Sequence, residues 1–579
     1  MKTFNNEKVV KTCKVEDDIF RLTVRHLYIK DGDEYRELCD SVCPIADTIF
    51  PDGRKRGRRI RFRTTDGTKD ELTIPCAEFM NPKNVVTALV NVGFPIPPNT
   101  ADAARIGKFL SKLHCSKRIR QVDSSGWNSV DHNGSQYTCF AMGTKVIGSV
   151  IDGFSVESLA MDSDDGRFAT KGTKEEWRKY VGKQCRGNPR LIFAVSQALG
   201  APLVLLSGVE PDIVHFVGKP AVGKTTMLFV AASLFGEPEK YCIKWQATET
   251  GMEATCRLYN DLPLAVDELG QASPETLFSA IYMVAGGNGK VRGNTHAGLK
   301  LQTSFRNKVL SAGEISVGEQ LSKANKDITA GQEIRMLGIP VRAKSFKSLH
   351  DEGSTEEFAT SLKRNARRFY GTVGHSFIQH IVDNRKEVKN RLTEDLPRLV
   401  RYLEGKVADI GITDAEKRVL RRFALPAFAG KLATELGLTG WQTGESKEAV
   451  AGVLRFWLTT RRREPALKQQ AIVDGIGLAL KESKVLYFKN LDGERPSDDT
   501  VYGHILNGEK VYLVPPEHFK KVVCKDVPQA IWKKALSDAN LLVTDQDRLD
   551  KQVRLPGHKT KKGTFIVVRR TIITGTAEA

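Results

Sequence analysis

The chain has 579 residues, 40% of them apolar, and 88 Lys+Arg against 69 Asp+Glu give a formal net charge of +19. The apolar share excludes a wholly disordered chain, and 10 cysteines over this length exclude a small disulfide-stapled secreted fold. The positive excess favours polyanionic partners, nucleic acid first, against a basic surface that serves only solubility.

At roughly 100–200 residues per domain, the length predicts three or four domains. Residues 1–7 hold no apolar stretch, so no secretory leader is expected. The most apolar region, 191–217, is interrupted by Gln197, Gly200, Pro202, Glu210, Pro211 and Asp212. No membrane span is expected, and a cytoplasmic location is.

Taken in order, residues 15–150 alternate apolar and polar positions in short runs separated by turn signals such as Asp66-Gly67 and Asn133-Gly134. They predict a β-rich N-terminal domain over 1–160, with a helical piece near 102–114. Residues 161–345 alternate helical patterns with apolar strand-like runs, as a parallel α/β core does. Residues 346–444 read as a helical continuation. Residues 445–579 mix helices with hairpin patterns. The expected fold class is multidomain α/β: a β-rich N-terminal domain, a phosphate-loop ATPase core, a C-terminal helical region and a winged helix.

The strongest motif is Gly218-Lys219-Pro220-Ala221-Val222-Gly223-Lys224-Thr225-Thr226, which fits G-x-x-x-x-G-K-[ST]. The apolar run 213–217 precedes it and the helix-forming run 227–232 follows. Glycines let backbone N–H groups turn inward on phosphate oxygens, and the helix N-terminus adds its dipole. Lys224 is expected to reach the β- and γ-phosphates of ATP, and Thr225 to ligate Mg²⁺. The apolar run 262–266 then ends in Asp267-Glu268. Asp267 would hold the Mg²⁺ and Glu268 would polarise the attacking water as general base. The other reading of this acidic pair is a cap for the helix opening at Ser273-Pro274-Glu275.

Residues 306–310 predict another core strand, ending at Ser311. Ser311 is either a sensor of the γ-phosphate or an ordinary strand-end serine. Arg335 precedes the apolar run 336–341, where ring ATPases place an arginine that reaches the neighbouring subunit's nucleotide. Its alternative is a surface ion pair. Between the acidic strand and Ser311, residues 286–300 predict an inserted hairpin carrying Lys290, Arg292, His296 and Lys300. It either grips phosphates in a ring's channel or is an exposed basic hairpin with no ligand.

Two further basic runs stand out. Residues 54–63 hold seven basic residues in ten and put Arg59, Arg61 and Arg63 on one strand face, a candidate for DNA contact or a solvated face. Helical stretches 516–524 and 528–539 precede strand-like 552–555 and 564–568, joined by a turn with Lys559, Lys561 and Lys562. This is a winged-helix pattern whose tip would rest on the DNA backbone, or a solvated turn. Cys39 and Cys43 lack a second pair at ligand spacing, so no metal beyond Mg²⁺ is expected.

These motifs, with Ser125-Gly126-Trp127, Trp245, Gly287-Asn288-Gly289-Lys290, Leu310-Ser311-Ala312-Gly313-Glu314 and Ala330-Gly331-Gln332-Glu333-Ile334-Arg335, resemble the domain-of-unknown-function 927 family of phages, plasmids and genomic islands. Its relatives include the minichromosome-maintenance-like replicative helicases of staphylococcal cassette elements. The resemblance implies an AAA+ ATPase, a hexameric ring acting on single-stranded and forked DNA, and a role in replicating a mobile element beside other replication proteins. Ala312, where relatives often carry threonine, departs from the pattern. A nucleotide-controlled origin-binding initiator, and a DNA-translocating ATPase of defence or packaging, are the rival functions.

Overall fold

The computed structural model describes residues 7–148, 151–161, 165–291, 302–324, 326, 328–342, 345–491, 494–525, 527–544 and 549–574. The N-terminal part is built from sheets. A four-stranded antiparallel meander, Val9–Val15 to Glu34–Asp40, follows the chain order. A five-stranded sheet runs in the order Phe154–Ser158, Arg118–Val122, Cys43–Ile49, Arg56–Arg63, Lys69–Pro75. Helices Pro82–Val90 and Thr100–Lys112 lay Val85, Leu89, Ile106, Phe109 and Leu110 against the apolar faces of these strands. Three short antiparallel strands, Gly126–His132, Ser135–Met142 and Lys145–Ile147, come next.

The centre is a five-stranded parallel sheet in the order Ile243–Lys244, Pro263–Asp267, Lys308–Gly313, Asp212–Val217, Met336–Pro340. Parallel strands are covered on both faces, so they are apolar along their whole length rather than alternating. Ile213, Val214, Phe216, Leu264, Val309, Leu310 and Ile339 are all buried. Helices Pro189–Leu199 and Lys224–Ala232 pack on this sheet, and Trp177, Tyr241, Trp245 and Tyr259 are fully buried around it. One stretch, Pro189–Ser207, is long and apolar enough to cross a membrane, but 83% of its most apolar window lies inside the fold. It is the sheet's packing partner.

Burying charge inside such a core demands a partner. Lys308 and Asp212, both buried, meet at 2.9 and 3.0 Å across adjacent strands, and Gln197 Nε2 donates to the same carboxylate. Asp261 takes two hydrogen bonds from Arg306 and one from the backbone N–H of Trp127, tying the three-stranded segment to the parallel sheet.

Helices Thr355–Arg368, Thr372–Asp383, Arg385–Lys406 and Asp414–Glu435 follow, the first two burying Phe358, Leu362, Phe377, Ile378 and Ile381. The chain divides into two units, 1–457 and 458–579, inside the single helix Glu445–Glu482. The second unit has a sheet ordered Val485–Tyr487, Val501–Leu506, Glu509–Val514, Lys562–Arg569, Leu542–Val543, with Lys551–Arg554 also paired to Lys562–Arg569. Helix Gln529–Asp538 buries Trp532 against Phe519 and the helical residues Val473, Ile476 and Leu480.

Candidate functional site

The glycine-bearing loop joins the buried strand Asp212–Val217 to helix Lys224–Ala232. Gly223 has φ 92°, and a Cβ there would lie 2.4 Å from the Phe346 ring. At Gly218 a Cβ would lie 2.1 Å from the carbonyl oxygen of Val341. Neither position tolerates a side chain, which is why both are glycine. Lys224 Nζ folds back and donates to the carbonyls of Gly218 and Lys219, each at 2.6 Å. Burial pushes its amine below the usual lysine range, opposed first by Glu314 and then by Asp267.

Thr225 Oγ1 donates to Asp267 Oδ2 at 2.9 Å, although the two are 42 residues apart. The register places Asp267 at the end of its strand, beside Lys244. Its second oxygen, Oδ1, accepts the backbone N–H of Glu268. Glu268 is left-handed, with φ 62°, and its exposed carboxylate accepts from Gln271 Nε2 at 2.8 Å. A left-handed non-glycine residue is strained, and such strain gathers at functional sites. Hydroxyl and carboxylate oxygens at this spacing are a donor set that suits a hard divalent cation.

Ser311 lies elsewhere than the mouth of this site. It is completely buried, and its hydroxyl accepts from Trp245 Nε1 at 2.8 Å and contacts His215 Nδ1 at 2.9 Å. His215 Nε2 meets the carbonyl of Ile315 at 3.0 Å. A carbonyl cannot donate, so Nε2 carries the proton and Nδ1 accepts from Ser311. Burial pushes the His215 pKa down to about 4, which keeps the ring neutral. Ser311 is therefore the hub of a buried polar network. The group facing Lys224 is Glu314, which assigning roles by sequence pattern missed. The usable signal was its position just beyond the strand end.

Arg335 sits at the opposite edge of the sheet. Its carbonyl accepts from Ile213 N, at the start of the strand whose far end leads into the loop. At about 3.3 Å per residue, roughly 17 Å of strand separates it from its own loop. Its guanidinium donates to Gly331 O at 3.0 Å and lies 5.4 Å from the Tyr282 ring centroid. Tyr282 fixes the direction of a side chain that cannot reach its own Lys224.

The inserted hairpin has a formed base. Gly289 N donates to Thr303 O, Phe305 N donates to Gly287 O, and Asn288 bridges Ser304. Lys290 pairs with Glu249 at 2.6 Å. Arg292, His296 and Lys300 lie outside the described residues.

Three arginines of the basic strand Arg56–Arg63 have carboxylate partners, while Arg56 and Arg63 donate to the carbonyls of Gly53 and Gly67. Arg59 binds Thr73, Glu71 and Glu157, Arg61 binds Glu71, and Arg58 binds Asp47. In contrast Lys559, Lys561 and Lys562, at the turn between Lys551–Arg554 and Lys562–Arg569, are exposed and have no ion-pair partner among the described residues. Cys39 and Cys43 pack against the N-terminal apolar core.

A multidomain α/β chain with several sheets, centred on a parallel sheet with a glycine loop at its carboxyl edge, is the class this architecture defines. Residues 23–304 match the family model of a domain of unknown function, DUF927. Over its length the fold is similar to a solved structure titled "SCCmec type IV Cch - active helicase", with a TM-score of 0.58 at 15% identity, covering 96% of this chain and 99% of that one. No curated protein sequence matches it.

Proposed function

We propose that the chain is an ATP-dependent DNA helicase, an AAA+ ring motor that replicates a phage or other mobile element. The observation that carries this reading is the convergence of Lys224, Thr225 and Asp267 at one helix N-terminus, with Glu268 next to them. A strand order that inserts Lys308–Gly313 between the loop strand and the acidic strand supports it. So does the similarity in fold to a structure titled as a helicase.

In this reading Gly218 to Thr226 cradle the phosphates, and Lys224 exchanges its two carbonyl partners for phosphate oxygens. Thr225 and Asp267 are the residues that would hold Mg²⁺, which supplies charge neutralisation when bound. Glu268, released from Gln271, orients and deprotonates the lytic water. Ser311 acts through Trp245 and His215 by holding the strand ends in register. Arg335, too far from its own loop, serves the nucleotide of an adjacent copy, which requires a closed ring; a hexamer is the proposed one. Lys290, Arg292, His296 and Lys300 would contact DNA, and Lys559, Lys561 and Lys562 form the tip of a winged helix on the phosphate backbone. Arg59 and Arg61, held by carboxylates, are structural in this account.

The test is ATP hydrolysis with and without single-stranded DNA. DNA stimulates hydrolysis by the wild type, and both Lys224→Ala and Glu268→Gln abolish it, Glu268→Gln with nucleotide binding retained. Unchanged hydrolysis in Glu268→Gln would remove the general-base role.

A further inference from the structure

Arg342, beside the glycine loop, and its neighbour Arg190 have no carboxylate partner among the described residues. Arg342 follows the last strand of the parallel sheet, Met336–Pro340. Its predecessor Val341 donates to Val217 O at 2.7 Å, and its carbonyl is the group that Gly218 leaves room for. Arg342 therefore starts at the base of the loop, on the carboxyl edge where open parallel sheets bind ligands. Arg190 is the second residue of helix Pro189–Leu199. Both guanidiniums lie over the same ring: Arg190 at 4.4 Å and Arg342 at 5.7 Å from the Phe456 centroid. Their separation is therefore at most about a Debye length, roughly 10 Å at 0.1 M salt, and Arg342 acts electrostatically on Arg190.

This arrangement is unfavourable on three counts. Like charges are held together, and among the described residues neither has a carboxylate partner. Arg186, on the preceding turn, does have one, pairing with Glu445 at 3.0 Å. Arg190 is a cation in the first turn of a helix, where the dipole favours anions. Its Nε is buried with no hydrogen-bond partner, and burial, then Arg342, pushes its pKa below the ordinary arginine value. The geometry is nonetheless fixed. Asn188 accepts from Lys347 N and Ser348 N and donates to Ser348 O, while Arg342 N donates to Ser345 Oγ.

We infer that Arg190 and Arg342, splayed over Phe456, form a clasp for a phosphate oxyanion. An oxyanion between the two forks accepts charge-assisted hydrogen bonds from both and removes their repulsion. The phosphate has two possible sources, a nucleotide at the adjacent loop or the backbone of a nucleic acid. The first source rests on the function proposed above.

The test uses the full chain as wild type, Arg342→Gln, Arg190→Gln and Lys224→Ala, with two probes: ADP, and a fluorescein-labelled oligothymidylate. Arg342→Gln removes an exposed side chain, so its result does not depend on Arg190→Gln folding. The expected result is a loss of roughly tenfold in affinity for one probe, about 1.4 kcal/mol. Loss for ADP alone assigns the clasp to the nucleotide, and loss for the oligonucleotide alone assigns it to a nucleic-acid backbone. Affinities for both probes within twofold of wild type in Arg342→Gln overturn the clasp. If wild type and Lys224→Ala bind ADP equally, the nucleotide reading of the loop fails, while the oligonucleotide measurement still decides the clasp.

Discussion

Thr225 and Asp267 share a hydrogen bond of 2.9 Å between residues carried by a helix and by a strand two places away in the sheet. That bond closes the distance between two separate sequence motifs. Around it the chain gathers the Lys224 amine, the Thr225 hydroxyl and the carboxylates of Asp267, Glu268 and Glu314 on one edge of a buried sheet.

Arg335 faces away from the loop of its own chain, so its loss is expected to be complemented by another subunit. Arg335→Ala is expected to bind nucleotide normally and to lose 10³-fold or more of its hydrolysis, on the order found for arginine fingers. Mixing Arg335→Ala with Lys224→Ala creates interfaces with an intact lysine on one side and an intact arginine on the other. ATPase activity is expected to reappear in the mixture. Two inactive proteins that stay inactive when co-assembled would show that Arg335 acts within its own chain.

His215 makes stability depend on pH. Its folded pKa of about 4 lies below the unfolded value near 6.5, so the unfolded chain binds the extra proton between them. Its contribution is therefore present above pH 6.5 and is lost as pH falls toward 4, by about 1.4 kcal/mol per pH unit. Denaturant midpoints measured from pH 7 to pH 4.5 check this, and His215→Gln is expected to flatten the slope. Ser311→Ala leaves Trp245 Nε1 without its acceptor and His215 Nδ1 without its donor, and is expected to lower stability by about 1–3 kcal/mol.

The Lys308–Asp212 pair tests the core in another way. Asp212→Ala strands a buried ammonium and is expected to cost about 3–5 kcal/mol. The double replacement Lys308→Met with Asp212→Leu is expected to recover most of that loss. Urea unfolding of the single and double variants measures both quantities. A double variant as unstable as the single one would mean that the charge pair itself stabilises the sheet.

The exposed lysines at the C-terminal turn are expected to act on DNA without reading its sequence. Replacing Lys559, Lys561 and Lys562 by alanine should weaken binding equally across sequences, and reduce the salt slope of log K by about 1 for each phosphate no longer neutralised. Fluorescence anisotropy over a salt series checks it, and a sequence-dependent loss would contradict the role.

What the sequence made legible is local. The glycine loop, its strand and its helix are consecutive, so Gly218 to Thr226 could be read directly, and so could the acid pair at the end of an apolar run. The hairpin base at Gly287 to Lys290 and the turn at Lys559 to Lys562 are also contiguous. What escaped depends on partners brought together by the sheet. Ser311 looks outward in a linear pattern, but Trp245 and His215 come from two other stretches to enclose it. Arg59 and Arg61 look uncompensated until Lys69–Pro75 and Phe154–Ser158 deliver Glu71 and Glu157. The division at 457/458 falls inside one uninterrupted helix, where no turn residue marks it.

The central claim, that the Lys224 site drives strand separation, is tested most directly by displacement of a labelled strand from forked duplexes carrying either a 3′ or a 5′ single-stranded tail. The assay runs wild type beside Lys224→Ala with ATP and Mg²⁺. The account expects the wild type to displace the strand from a fork of one tail polarity and Lys224→Ala to displace none. A wild type that hydrolyses ATP yet separates no fork of either polarity, or a Lys224→Ala variant that still separates one, would contradict it.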